Sequence, residues 1–229
     1  MILKIVLIFL SFLLSFLGYK KNLIDKNSLV FMLFFSIYFI ILFPLYFFIS
    51  LLILYLTTSI ATRYKIEKKI IYHNKGRNIR NLLSNLLISI TFSFIYLTYP
   101  NQVIYFAFLS SLACACADTL ASEIGQLSRK NPRLITTFEE VKTGTEGGIS
   151  LLGLFFGFIG SSIVAFPSLF YFGFFLFLAT SLIGFIGCNI DSFIGAEFEL
   201  KNKCTNETTN LIATLSSGIF GLLIFAFLV

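Results

Sequence analysis

Three apolar stretches, residues 28–62, 81–117 and 149–190, limit what this chain can fold into more than any other feature. Each runs 35 to 42 residues without one Asp, Glu, Lys or Arg. As a single helix at ~1.5 Å per residue such a stretch exceeds ~50 Å, against a hydrocarbon core of ~30 Å. Each also carries one proline near its middle, Pro44, Pro100 and Pro167, and "YPNQ" at 99–102 is a turn sequence. The spacing predicts three Pro-centred helical hairpins, flanked by a first helix at about 2–19 and a last at about 210–229. The expected fold is an all-α polytopic membrane protein of about eight transmembrane helices, forming one integral-membrane domain over 1–229. Residues 28–43, only 16 long, fit a re-entrant or tilted helix as well as a full span.

The distribution of charge supports that count. Four blocks (20–27, 63–80, 118–148 and 191–209) hold 16 of the 17 Lys and Arg, leaving only Lys4, and all 11 Asp and Glu. With eight spans all four blocks fall on one face, and the three proline turns on the other face carry no charge. The bias puts the charged face in the cytoplasm of a cell-membrane protein, with both termini outside. At 57% hydrophobic and 12% charged residues the chain lies far from the ~25% charge of soluble domains. The net charge of +6 is divided among short runs between spans, so it reads as topology; a nucleic acid is not an expected partner.

The N-terminus has the outline of a signal peptide, Lys4 and then apolar residues to Leu17, but lacks a small-x-small cleavage site. Its stronger charge, Lys20 and Lys21, follows the apolar run, and a retained helix is expected. Cys114, Cys116, Cys188 and Cys204 show no zinc spacing and read as small buried thiols. The sequon at Asn206–Thr208 falls on the charged face and reads as a chance match.

Four polar features converge on that face. "ADTLASEIG", 117–125, sets Asp118, Thr119, Ser122 and Glu123 at the end of an apolar run, where a carboxylate at membrane depth costs about 2.5–3.5 kcal/mol. If the helix continues, Asp118 and Ser122 share a face and Glu123 points about 140° away, so the two acids serve different partners. "VKTGTEGGIS", 141–150, holds Gly144, Gly147 and Gly148 just before an apolar helix expected at Ile149. Free N–H groups and a positive dipole end there suit a phosphate, and Glu146 suits a cation that travels with it. "GCNIDSFIGAEFE", 187–199, ends a span on Asp191-Ser192, much as Asp118-Thr119 does, with Glu197 following as Glu123 does. "GRNIRNLLSN", 76–85, spaces Arg77, Asn81 and Asn85 as a polar stripe running into a span.

Carboxylates, a glycine-rich helix start, Arg and Asn at one membrane face point to Mg²⁺ and a phosphorylated ligand. The chain has no Cys/His metal set and no Walker A loop, and its single His73 lies in a basic loop. A Ser-His-Asp hydrolase is therefore poorly supported.

"ADTLASEIG", "LITTFEEVKTGTEGGISLLG" and "GFIGCNIDSFIGAEFE" resemble, in that order, motifs of an integral-membrane family that includes plant phytyl-phosphate kinase and vertebrate transmembrane protein 19. "GRNIRNLLSN" resembles a further motif, with Asn81-Leu82 where the family often has Gln-Val. The similarity runs from about Thr57 to the C-terminus. It implies that Asp118, Glu123, Glu146 and Asp191 are the family's acidic positions and act as Mg²⁺ ligands, with Asp118, Glu123 and Asp191 in the catalytic role. It also implies that Gly144, Gly147 and Gly148 form its glycine loop and Asn85 its buried amide. Arg77, Asn81, Thr119, Ser122, Lys142, Thr145 and Ser192 complete the expected substrate- and nucleotide-binding set. The implied reaction is phosphoryl transfer from a nucleoside triphosphate, CTP favoured, to a prenyl monophosphate such as phytyl or geranylgeranyl phosphate held in the bilayer. A prenol kinase or lipid-phosphate cytidylyltransferase, and beyond these a cation- or proton-coupled transporter or flippase, are the competing expectations.

Overall fold

The structure, a computed structural model, describes residues 2–70 and 78–228. Eight α-helices account for most of it: α1 (Ile2–Lys20), α2 (Lys26–Leu42), α3 (Leu45–Arg63), α4 (Ile79–Thr98), α5 (Gln102–Gly125), α6 (Leu151–Phe172), α7 (Phe174–Ile194) and α8 (Asn206–Leu228). Seven are long and apolar enough to cross a membrane; α2, at 17 residues or about 26 Å, is shorter than the ~30 Å core. Connections at one end of the bundle are short: Phe43-Pro44, Tyr99–Asn101 and the single residue Gly173. At the other end the charged loops touch one another, Arg63 donating to the Lys21 carbonyl and the Ile70 N–H to Gln126 Oε1.

Pro167 does not make the third turn. It lies inside α6, and the chain reverses six residues later at Gly173, whose φ of 92° belongs to the left-handed region. Membrane helices tolerate an internal proline because neighbouring groups satisfy the freed carbonyl, so the glycine sets the turn.

α5 is the axis of the bundle. Every residue from Tyr105 to Ala117 is buried. The run Ser110–Ala117 is almost all small, and the helices around it bring glycine to the contact. A Cβ added at Gly160 of α6 would lie 2.9 Å from the Cys116 carbonyl oxygen, and one at Gly184 of α7 2.8 Å from the Ala113 carbonyl carbon. Gly218 and Gly221 of α8 close in the same way on Ser111 and Ser110. With lipid as solvent, such close backbone approach and the hydrogen bond from Ser111 Oγ to the Thr214 carbonyl (3.1 Å) hold helices together where water would use apolar burial. At the short-turn end aromatic rings fill the space: Tyr46 and Phe47 pack on Tyr105, and Phe106 stacks on Phe225 at 4.0 Å.

The loop between α5 and α6 is folded. Strands β1 (Arg133–Leu134) and β2 (Gly148–Ile149) pair antiparallel, Arg133 opposite Ile149 and Leu134 opposite Gly148. This small ribbon is an addition to the all-α expectation, and it delays α6 to Leu151, with Ser150 as N-cap accepting from the Gly153 N–H at 3.0 Å.

Candidate active site

Asp118 sits on the last turns of α5 and Asp191 on those of α7, side by side because glycine lets the helices approach. The charge of Asp118 bears directly on the Asp191 carboxyl. Asp191 is 9% exposed, and among the described residues its Oδ1 is buried with no hydrogen-bond partner. Two adjoining carboxylates repel when both are ionised, and a shared proton or a bound cation relieves the repulsion.

Two further acids act on this pair. Glu146, on the surface of the loop, is held above the usual carboxylate range by the protein crowded around it and then by the charge of Asp118. Glu199 adds its charge to that acting on Asp191. After α7 the helix loosens into a π turn, Gly195–Glu199. In a regular helix eight residues at ~100° would leave Glu199 about 80° round from Asp191; one inserted residue removes most of that angle. Glu199 Oε2 accepts from Thr209 Oγ1 at 3.1 Å. Glu197, the acid that the sequence pattern singles out, instead pairs with Lys201 at 2.7 Å on the surface.

The glycine loop docks on the same π turn. Gly144 and Gly147 take φ of 93° and 72°; Gly148 does not need the left-handed region. A Cβ at Gly147 would overlap Ala196, and one at Gly195 would lie 3.1 Å from the Gly147 nitrogen. The Thr145 N–H donates to the Lys142 carbonyl and the Gly148 N–H to the Thr145 carbonyl, so these groups close turns, and the ribbon separates the loop from the start of α6. Lys142 is exposed.

Glu123 lies apart. α5 continues to Gly125, which turns Glu123 away from Asp118 and towards α3. Lys69 Nζ donates to Glu123 Oε2 at 2.7 Å and to the carbonyls of Ala61 (2.6 Å) and Thr62 (2.9 Å), while Thr62 Oγ1 donates to Glu123 Oε1 at 3.0 Å. The Lys69 side chain is 1% exposed and that of Glu123 15%. Lys69 thus caps the C-terminal end of α3 and ties it to α5. Neither Lys69 nor Thr62 stands out in the sequence, and nothing local marks them.

The remaining candidates divide by location. Thr119 is buried, whereas Ser122 is exposed and donates to the Thr119 carbonyl at 3.1 Å. Ser192 donates to the Cys188 carbonyl at 3.3 Å. Asn81 and Asn85, on α4, line a cavity with Thr119; Asn85 Nδ2 donates to the Asn81 carbonyl at 2.9 Å and, among the described residues, its Oδ1 is buried without a partner. Arg77 lies outside the described residues. Cys114, Cys116 and Cys188 are buried thiols outside any disulfide among the described residues, and Cys204 is a half-buried one.

Among the described residues no three His, Cys, Asp or Glu side chains close into a ready-made cation cage. Mg²⁺ does not require one: it takes one or two carboxylates and keeps water and substrate phosphate for the rest. The Asp118–Asp191 pair, with an unpartnered buried oxygen, fits that demand.

Residues 9–222 match the family described as Integral membrane protein DUF92. The chain belongs to that family. An uncharacterized membrane protein of Methanocaldococcus jannaschii is 35% identical over 211 residues, 90% of this chain and 87% of its own. Two Arabidopsis thaliana relatives match over shorter parts. Protein PGR is 36% identical over 107 residues (41% of this chain, 37% of its own), and Protein VTE6, chloroplastic, 40% over 65 residues (28% and 20%). No solved structure matches. Membership agrees with the resemblance to the phytyl-phosphate kinase family drawn from the motifs, and with a multi-pass integral membrane protein.

Proposed function

We propose that this protein transfers the γ-phosphoryl group of a nucleoside triphosphate, CTP for preference, to a prenyl monophosphate in the bilayer, giving the prenyl diphosphate and the nucleoside diphosphate. The observation that carries the reading is the Asp118–Asp191 pair at the charged end of the bundle, flanked by Glu146 and Glu199. Asp118 and Asp191 would hold Mg²⁺, which would supply neutralisation of the charge on the transferring phosphoryl group, so that little covalent help from protein would be needed.

The chain's own groups position the reactants. The loop 142–148, with Lys142, Gly144, Thr145, Gly147 and Gly148, rests on the π turn beside the acids and binds the nucleotide phosphates, with Arg77 as a further candidate for them. Thr119, Asn81 and Asn85 face the lipid phosphate; Ser122 and Ser192 flank the two aspartates. A phosphate oxygen of the lipid attacks the γ-phosphorus, and the bond to the β-phosphate oxygen breaks. Glu123 keeps the α3–α5 contact in register through Lys69 and does not touch the reacting atoms. The charged end faces the cytoplasm, where the triphosphate is found.

The test uses purified protein in detergent with Mg²⁺, geranylgeranyl monophosphate and each of the four nucleoside triphosphates in turn, the products resolved by mass. The expected product is the prenyl diphosphate, formed with CTP and lost in Asp118→Asn. A nucleotide left on the lipid with release of pyrophosphate would instead make the protein a nucleotidyl transferase.

A further inference from the structure

We infer that the cavity enclosed by α1–α5 receives the phosphate-proximal end of a single isoprenoid chain; the assignment rests on the prenyl-phosphate reading and extends it to how the lipid is held. The cavity measures about 120 Å³, and Leu14, Phe31, Phe35, Leu51, Leu52 and Leu86 give it an apolar wall. Several polar side chains in the wall are turned back on their own or neighbouring helices. Ser11 Oγ donates to the Leu7 carbonyl at 2.8 Å, Tyr55 Oη to that of Leu14 at 3.0 Å, and Thr58 Oγ1 to that of Tyr55 at 3.3 Å. The interior therefore makes few polar demands on a guest.

Its two ends differ. Thr62, Asn81, Asn85 and Thr119 stand at the charged end, where Thr119 directly follows Asp118. Along α3 the lining continues from Thr62 to Phe48, 14 residues or about 21 Å, deeper than half of a ~30 Å hydrocarbon core. A ligand whose phosphate meets Thr119, Asn81 and Asn85 thus has its hydrocarbon directed down this cavity.

Size narrows the occupant to one chain. An apolar cavity of ~150 Å³ takes up a benzene-sized guest, so ~120 Å³ admits one branched hydrocarbon segment near its head and not the paired chains of a diacyl lipid. Entry from the side is open to such a ligand. α1 buries only Ser11, Ser15 and Gly18, and α2 only Ser28, Phe39 and Ile40, so this outer wall is thinly packed and otherwise faces lipid.

The experiment is photoaffinity labelling of the wild-type protein in detergent with a farnesyl monophosphate carrying a diazirine in its phosphate-proximal isoprene unit. Adducts are mapped by mass spectrometry. They are expected on the segments 48–62 and 82–86, falling about tenfold with excess geranylgeranyl phosphate and unchanged by dioleoyl phosphatidate. Labelling spread over the lipid-facing sides of α6 and α7, or undiminished by geranylgeranyl phosphate, would overturn the assignment, as would equal competition by phosphatidate. Filling the cavity with Ala115→Phe, or with the milder Ser36→Leu on the thin wall, is expected to remove the adducts; adducts retained in folded Ser36→Leu would contradict it. The two readings fail separately. Adducts in the cavity without diphosphate product leave the lipid site and remove the kinase, and diphosphate product with adducts elsewhere does the reverse.

Discussion

Lys69 offers the sharpest test of the division between the two acids of "ADTLASEIG". Its ammonium, 1% exposed, donates to one carboxylate and two carbonyls within 2.9 Å. Lys69→Met removes all three bonds and leaves Glu123 largely buried with, among the described residues, only Thr62 as a partner. Breaking one side of a buried pair costs about 3–5 kcal/mol, chiefly because the other charge is left uncompensated. At about 2–4 °C per kcal/mol for a chain of roughly this size, the apparent melting point should fall by about 6–20 °C. Replacing both partners, Lys69→Met with Glu123→Met, removes the stranded charge together with its cation, so the double variant should melt above Lys69→Met alone. The assay is thermal unfolding in one detergent at one scan rate, because melting of membrane proteins is commonly irreversible and rate-dependent. Single variants within about 1 °C of wild type would refute the lock, as would a double variant whose loss equals the sum of the two singles.

Other substitutions examine the site and its frame. Gly147→Ala places a Cβ against Ala196 at a left-handed φ, and should cut prenyl diphosphate formation at least about tenfold while circular dichroism stays unchanged. Glu199→Gln should raise the Mg²⁺ concentration needed for half-maximal activity several-fold, whereas Glu197→Gln, which only breaks a surface pair with Lys201, should leave it alone; equal effects would remove Glu199 from the site. Gly160→Val forces a side chain onto the Cys116 carbonyl and should lower the melting point more than Gly173→Ala at the open turn, where nothing lies within 4 Å.

Much of the fold is written in the chain at long range. Charge-free stretches of 35 to 42 residues cannot be single spans, and eight helices follow from length alone. Proline was the weaker guide. Pro44 and Pro100 do lie where helices stop, but Pro167 sits inside α6 and Gly173 makes the turn. The acids stood out as candidates because a carboxylate beside an apolar run needs a reason. Their grouping was legible only in part: the 140° offset separates Glu123 from Asp118, yet its partner Lys69 lies 54 residues away with no pattern to mark it. Glu199 was hidden for another reason. A π turn changes which residues share a face, and regular helical spacing does not foresee it. The cavity draws on five helices, with no stretch of sequence that records it.

Binding of Mn²⁺ in place of Mg²⁺, followed by electron paramagnetic resonance in the presence of CTP, tests the central claim most directly. Wild type, Asp118→Asn, Asp191→Asn and Glu123→Gln would be compared, each shown to be folded. The Asp118–Asp191 centre predicts a protein-bound signal in wild type and Glu123→Gln, weakened at least about tenfold in both aspartate variants. A signal that survives both aspartate changes, or one lost in Glu123→Gln, would contradict it.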